Sequence, residues 1–437
     1  MARPALRKSL SAPGLLSEVR RCFEAIKDDT VGRGFALVDY LMSGLAVFGL
    51  KYPSLLQFDE DRADAVVASN LRTLYGIDKA PSDTALRERL DALDPATSRG
   101  AFRRVLHLLQ RGKGLDSFHW WAGHYLLSVD GTGYFYSDRV HCEQCCETQH
   151  RDGRVSYYHQ LLGAVLVHPE QRVVLPLAPE PITRADGAKK NDCERNAAKR
   201  LLADVRREHP HLKLIVVEDA LAANGPHIRL LQSLKMRYIL GVKPGDHAFL
   251  FNWLATTPGV QTAEFTDKDD VVHRFRYLHG APLNETHFDL TVNVLDYEEQ
   301  RPSGKTQRFT WVTDIPLHHN NLLCIMRGAR ARWKIENETF NTLKNQGYHF
   351  EHNFGHGYQH LSTVFAYLMM LAFLIDQVQQ QCCGLFQAVL AQQGRKRYFW
   401  EKLRSFFFTW LLPDWETLYR ALAYGATPTV VVPYDTS

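Results

Sequence analysis

The sequence has no apolar run that reaches the roughly 20 residues needed to cross a bilayer. The longest, "VFAYLMMLAFLI" at 364–375, reads as a buried core helix instead. Its first residues, "MARPALRKSLSAPGLLSEVRRC", are basic but contain no continuous apolar segment with a secretory cleavage site. The expectation is a cytoplasmic protein with no membrane partner. Internal repeats and low-complexity blocks are also absent, which sets aside solenoids and repeat arrays. So is a disulfide framework. The eight cysteines fall as Cys22, a cluster of Cys142, Cys145 and Cys146, then Cys193, Cys324 and the adjacent Cys382 and Cys383, unlike the spaced pairs of a small secreted domain. Charge of one sign is scarce: the net value is +4, and Lys and Arg exceed Asp and Glu by the same four within residues 1–113. A weakly basic N-terminal quarter tolerates nucleic acid without demanding it.

What is present is ordinary globular stock, 45% hydrophobic and 23% charged over 437 residues, more than one core usually serves. Residues 1–121 read as an α-helical domain: "LLSEVRRCFEAI" carries Leu, Val, Phe and Ile at helix spacing. Within it, "VVASNLRTLYGIDKAPSDTALRERLDAL" reads as helix, Gly-containing turn and second helix. This is a helix-turn-helix pattern with Arg87 and Arg89 facing outward toward DNA. From residue 122 the texture changes to strands, "YLLSVD", "YYHQLLGAVLVH" and "RVVLPLAPEPI", then a charged amphipathic helix, the strand "HLKLIVVED", a helix, and the strand "RYILGV". Three strands in succession followed by α-β-α-β is an α/β order, that of an RNase H-like core. Residues 246–312 alternate in the manner of a β-rich inserted subdomain, so the core is expected at 122–245 and 313–378. Helices are expected to dominate the C-terminal region, 379–437.

Two apolar strands end in carboxylates, at Asp130 and at Glu218–Asp219. A carboxylate at the end of a buried strand is costly to desolvate unless a cation or donors meet it. Asp130 is followed by Gly, so an ordinary turn is the competing explanation. In the expected fold the two strands lie side by side, which brings Asp130 and Asp219 together. Their repulsion makes sense if hard divalent cations, Mg²⁺ or Mn²⁺ and a pair of them, sit between. Glu218 is the rival of Asp219, since strand alternation turns only one of them toward the site. A third carboxylate is available in "RARWKIENETFNTLK". At about 100° per residue, Trp333, Asn337, Phe340 and Lys344 form the inward side, Glu336 lies on its flank and Glu338 points away. Arg332, one turn earlier, is placed to orient Glu336 or hold a phosphate. Lys189, Lys190, Arg327, Arg330 and Lys334 add positive charge beside the acids, as a phosphodiester backbone requires.

On the residues "SVDGTGYF", "LIVVEDAL" and "RARWKIENETFNTLK", spanning about 125–375, the chain resembles the DDE transposases of bacterial insertion sequences, in the branch with a β insertion between the second Asp and the Glu. The resemblance implies that Asp130, Asp219 and Glu336 are the catalytic metal triad, with Mg²⁺ or Mn²⁺ as cofactor. It also implies double-stranded DNA as substrate, both terminal inverted repeats and target. The implied activity is nicking that frees a 3′-OH and strand transfer by that hydroxyl, within a homodimeric synaptic complex. Arg87, Arg89, Lys189, Lys190, Arg330, Arg332, Lys334 and Lys344 are its expected DNA contacts. That branch often shows Tyr-x2-Arg-x3-Glu-x6-Lys; here Arg332 and Glu336 fit, Ala329 and Leu343 occupy the outer two positions, and Lys344 follows one place late.

Two other clusters point elsewhere. In "HCEQCCETQH", Cys142 and Cys145 have Cys-x-x-Cys spacing with Cys146, His141 and His150 near, which suits zinc, though no second such pair accompanies them. His349, His352, His356 and His360 are expected in surface or hydrogen-bonded roles, because Gly355 and Gly357 break the helix face that would align them. Trp253 and Trp311 read as core residues of the insertion. Two rival functions follow: a DNA-binding derivative that no longer cuts, and a zinc-dependent hydrolase or nuclease built on the Cys/His clusters.

Overall fold

The computed structural model describes residues 4–28, 34–184 and 193–425, so Lys189 and Lys190 lie outside the described residues. Six helices come first: α1 (Ala12–Glu24), α2 (Leu37–Gly49), α3 (Leu55–Asp61), α4 (Ala65–Tyr75), α5 (Asp83–Asp91) and α6 (Arg99–Arg111). Their starts are chemically marked. Ser54, Asp64 and Ser82 each accept backbone N–H bonds at the first turn of α3, α4 and α5, and Gly76, at φ +70°, ends α4.

The strands are β1 (Tyr125–Ser137), β2 (Cys146–Gln149), β3 (Val155–Val167), β4 (Leu175–Pro176), β5 (Glu180–Ile182), β6 (Leu214–Glu218), β7 (Arg237–Val242), β8 (Gln261–Thr266), β9 (Val272–Pro282), β10 (Thr291–Gln300) and β11 (Thr306–Thr313). Helices α7 (Glu194–Glu208), α8 (Gly225–Ser233) and α9 (Ala248–Thr256) interrupt them. All the strands join one mixed sheet in the order β2-β3-β1-β6-β7-β11-β10-β9-β8, with β4 and β5 also paired to β3. The pairs β1–β6 and β6–β7 are parallel; the remaining pairs are antiparallel.

Two expectations need correction. Asp130 does not end its strand: β1 runs on through Gly131-Thr132-Gly133 to Ser137, because β3 supplies a ladder partner for nearly every residue, Asp130 opposite Gly163. The Asp-Gly pair therefore makes no turn. Nor is the β-rich stretch a body of its own. Strand β11 pairs with β7 from Thr310–Val242 to Thr313–Ile239, so β8–β11 extend the central sheet and share its core. Within that extension Trp311 is buried, and Trp253 packs on Phe249 and Phe288.

After the sheet come α10 (Leu322–Arg330), α11 (Asn341–Asn345), α12 (Leu361–Cys382), α13 (Gly384–Gln393), α14 (Lys396–Thr409) and α15 (Trp415–Tyr424). Helix α12 is long and apolar enough to cross a membrane by length and composition, but 94% of its apolar window is buried inside the protein. The first helices and the last interleave around it. Lys51 makes a buried 2.7 Å ion pair with Asp376 of α12, and the Asn70 amide donates to the Phe407 and Trp410 carbonyls at the end of α14.

Between α10 and α11 the chain is not a regular helix. Ala331–Trp333 forms a tight 3₁₀ turn and Ile335–Phe340 a wide π-helical one. The 100° wheel therefore misplaced the buried side: Ile335, Thr339, Phe340 and Leu343 face the core, whereas Trp333 is 47% exposed and Asn337 is exposed.

Candidate active site

Asp130 sits on β1 with its two carboxylate oxygens already engaged. Oδ1 accepts from the Gly131 N–H at 2.9 Å, and Oδ2 accepts from Arg332 Nη1 at 2.9 Å. The same Arg332 nitrogen lies 2.9 Å from Glu336 Oε1, so one guanidinium bridges two acids that are 206 residues apart in sequence by subtraction (336 − 130). Several contacts hold this arrangement. The Ser128 hydroxyl donates to the Arg332 carbonyl at 3.0 Å, and the guanidinium lies 4.5 Å from the Trp333 ring centre. Gly163 lets the π-helical segment come down on the sheet: a Cβ there would stand 3.0 Å from Phe340 and 3.5 Å from Ile335. Burial first, and then the Glu336 carboxylate, push the Asp130 carboxyl up to about 7 against the opposing pull of Arg332. The site thus carries more negative charge than one arginine neutralises.

Glu338 turns elsewhere, as expected, but for a different reason from the helical wheel: its charge faces Lys334 and Lys396.

Asp219 arrives from the neighbouring strand. The parallel β1–β6 ladder pairs Tyr125 with Leu214 and Ser128 with Val217, an offset of 89 (214 − 125). Asp130 and Asp219 have the same offset (219 − 130 = 89), so the register, continued two residues past its last pair Ser128–Val217, carries them to the same level just beyond the end of β6. Alternation separates Asp219 from Glu218. Glu218 is buried and bonded to His227 Nε2 of α8 at 2.6 Å, while Asp219 Oδ1 accepts from the Leu221 N–H at 2.9 Å in a turn. Burial opposes protonation of His227, yet the Glu218 charge and hydrogen bond outweigh it and raise the imidazole above its usual range.

Sequence reasoning missed Glu194 at the start of α7. Its carboxylate lies over Gly131, 2.2 Å from where a Cβ there would be, and it is raised by burial and then by the Asp219 and Glu218 charges. Strand alternation turns the Gly131 Cβ direction to the face of the sheet opposite Asp130, so Glu194 lies across the sheet from that carboxylate. Nothing in "NDCERNAAK" distinguishes it from a helix-surface acid.

The donors are all hard carboxylate oxygens, the type Mg²⁺ and Mn²⁺ take, and the raised Asp130 carboxyl marks charge that a cation would relieve. Among the described residues, Asp130, Asp219 and Glu336 are not a set whose ligand atoms all lie within 4.8 Å of one another. That spacing is required of ligands to a single ion. Ions in a pair lie roughly 3.5–4 Å apart, so outer carboxylates on different ions stand farther from each other.

The expected DNA-contacting cations are mostly engaged within the protein. Arg87 pairs with Asp83 at 2.8 Å with its side chain 43% exposed, and Arg89 pairs with Asp28. Helix α5 buries Leu86 and Leu90, and its exposed positions are Thr84 and the acidic Glu88. Arg330 pairs with Glu299 and lies 5.2 Å from the Phe309 ring, Lys334 donates to the Gln171 carbonyl at 2.6 Å, and Lys344 pairs with Glu351 at 2.8 Å. Among the described residues of the set, Arg332 alone pairs with Asp130 and Glu336. Ala329 and Leu343, the two departures from the resembled pattern, are core residues.

A second cluster forms at the far end of the β1–β3 hairpin. Cys142, Cys145, His159 and His356 bring their ligand atoms within 4.8 Å of one another. This corrects two expectations. Cys146 bonds to the Ile182 carbonyl, His141 stacks on Tyr157 and His150 bonds to Ser156, so the near neighbours in sequence are not the partners. His356 is buried in the cluster, brought there by the chain's return before α12. The legible clue was His159, an imidazole inside the strand pattern "YYHQLLGAVLVH".

No family model matches the chain, and no curated protein matches it. Among solved structures, one that it resembles is a piggyBac transposase synaptic complex with hairpin DNA, determined by cryo-EM. The sequences are 10% identical, the alignment covers 95% of this chain and 77% of that one, and the TM-score is 0.40, a likeness that assigns neither fold nor function.

Proposed function

We propose that this protein is a DDE-type DNA strand transferase, a transposase of the insertion-sequence kind, with Asp130, Asp219 and Glu336 as the metal-holding carboxylates. The observation that carries the reading is the shared offset of 89, by which the β1–β6 register continues toward two distant aspartates at one level, together with the pairing of Arg332 to both Asp130 and Glu336. The strands β3, β1, β6 and β7, with β4 and β5 beyond β3, have the order and directions of an RNase H-like core, which supports the same reading.

Asp130, Asp219 and Glu336 would hold a pair of divalent cations, and the chemistry such ions would supply when bound is activation of an attacking oxygen and stabilisation of the departing one at phosphorus. The chain's own residues set the stage for this. Arg332 keeps the Asp130 and Glu336 carboxylates side by side and limits their repulsion before DNA arrives. Gly163 and the π-helical turn seat Glu336 against the sheet, and the His227 bond holds Glu218 out of the site so that Asp219 alone is offered. DNA ends are the substrate in this reading, and two protomers act together at synapsis.

The test is a plasmid carrying the DNA that flanks the gene, incubated with purified protein. The reading expects Mg²⁺- or Mn²⁺-dependent nicks at the ends of inverted repeats, each leaving a 3′-OH, followed by joining to target DNA. Sequence-specific binding without any cutting in either metal would instead identify the non-catalytic derivative.

A further inference from the structure

We propose that Cys142, Cys145, His159 and His356 bind one zinc ion in a closed, structural site, independent of the DNA-cutting centre. The four come from three places in the chain: the β1–β2 connection supplies both cysteines, β3 supplies His159, and the segment between α11 and α12 supplies His356. Their spacing is that of a tetrahedron around zinc. Cys142 Sγ and Cys145 Sγ are 3.8 Å apart, and with Zn–S near 2.3 Å a tetrahedral ion needs about 3.8 Å. His159 Nε2 is 3.4 Å from each sulfur and His356 Nε2 is 3.3 Å from Cys145 Sγ, where tetrahedral S and N ligands need about 3.5 Å. A disulfide requires sulfurs at about 2.05 Å, so the pair is not arranged as one.

The chemistry of the set agrees with its geometry. Two thiolates with two imidazoles are one of zinc's standard structural donor sets. Cys145, His159 and His356 are buried, Cys142 is partly so, and the Tyr134 and Phe135 rings pack on the imidazoles. Four protein ligands leave no open position for water or substrate, which separates this site from a hydrolytic zinc centre.

The ion has a mechanical role. His159 pairs with Phe135 on the same two strands that set Asp130 opposite Gly163, so the metal fixes the far end of the hairpin that carries the site. Through His356 it also ties down the chain that leaves the Glu336 segment. Two other contacts converge on that return: the Glu143 N–H donates to the Tyr358 carbonyl at 3.1 Å, and the Asp91 carboxylate accepts the backbone N–H groups of Tyr358, Gln359, His360 and Leu361.

The experiment is elemental analysis of the full chain purified from zinc-supplemented cells, together with the absorption spectrum of protein refolded with Co²⁺. The site predicts one zinc per chain. It also predicts intense visible bands of tetrahedral cobalt with near-ultraviolet thiolate charge transfer. Cys142→Ser and His356→Gln should each lower zinc content at least severalfold, whereas His349→Gln and His360→Gln should keep one zinc. If the ligand variants do not fold, the wild-type metal content and cobalt spectrum decide alone. Wild-type protein with well under one zinc, a weak octahedral cobalt spectrum, or a Cys142–Cys145 disulfide found by mass spectrometry overturns the proposal. So does a folded Cys142→Ser, His356→Gln double variant that retains one zinc.

Discussion

Arg332 Nη1 meets Asp130 Oδ2 at 2.9 Å across 202 residues of chain, and it reaches Glu336 at the same distance. A guanidinium shared between two acids orients both and keeps their combined charge tolerable. Arg332→Ala is expected to lower the DNA-cutting rate by about 10–100-fold, the usual effect of removing a group that orients metal ligands. It should also move the acidic limb of the pH–rate profile to higher pH, because the influence that lowers the Asp130 carboxyl is gone. Arg332→Lys should recover little, since an ammonium lacks the planar fork. Rates measured from pH 6 to pH 9 check both points.

Asp130 gives a pH signature in the absence of Mg²⁺. Its carboxyl is raised from 3.8 to about 7 in the folded state, so the unfolded chain releases this proton first as pH rises. The group's contribution to stability is complete below about pH 4 and is lost as pH climbs toward 7. Asp130→Asn, which cannot ionise, should therefore be more stable than the parent at pH 8 by about 1–3 kcal/mol, and the gap should close near pH 4. Urea denaturation of both proteins at the two pH values, in buffer without added Mg²⁺ or Mn²⁺, measures the difference.

Glu218 and Asp219 are neighbours in sequence with separate work. Asp219→Asn should abolish cutting, whereas Glu218→Gln keeps a partner for His227 and should retain cutting within about threefold. His227→Ala leaves the Glu218 charge buried and alone, a change that costs roughly 3–5 kcal/mol in comparable pairs. Its cutting at low temperature should persist while its melting temperature falls. Loss of cutting in Glu218→Gln with Asp219→Asn active would exchange the two assignments.

Gly163 is a positioning residue. A valine there meets Phe340 at a distance tighter than ordinary contact, so it pushes the π-helical turn off the sheet and carries Glu336 away from Asp130. Gly163→Val is expected to lower the cutting rate at least tenfold with little change in DNA affinity, read from rates and binding isotherms on one substrate. Gly163→Ala should fall between the two proteins.

The parts of the fold that depend on local pattern were legible in the sequence. Apolar strands, amphipathic helices and the turn at Gly76 follow from spacing and side-chain chemistry, and the adjacency of β1 and β6 followed from strand order. What escaped notice depends on contacts between distant segments. The strand through Asp130 continues because β3 pairs with it, and Asp-Gly signals a turn when read alone. The inward side of the Glu336 segment departs from a regular wheel because its turns are 3₁₀ and π. The ion pairs of Arg87 and Arg89 were not legible because Asp83 and Asp28 are ordinary surface acids in sequence. His159 and His356 join Cys142 and Cys145 only after the chain has returned on itself.

The central claim, that position 219 holds a catalytic cation, is tested most directly by Asp219→Cys assayed in Mg²⁺ and in Mn²⁺. Sulfur binds Mg²⁺ poorly and Mn²⁺ better. The account predicts that cutting is lost in Mg²⁺ and substantially restored in Mn²⁺, raising the Mn²⁺-to-Mg²⁺ rate ratio at least tenfold over the parent protein. A ratio unchanged from the parent, with cutting retained in Mg²⁺, would contradict it.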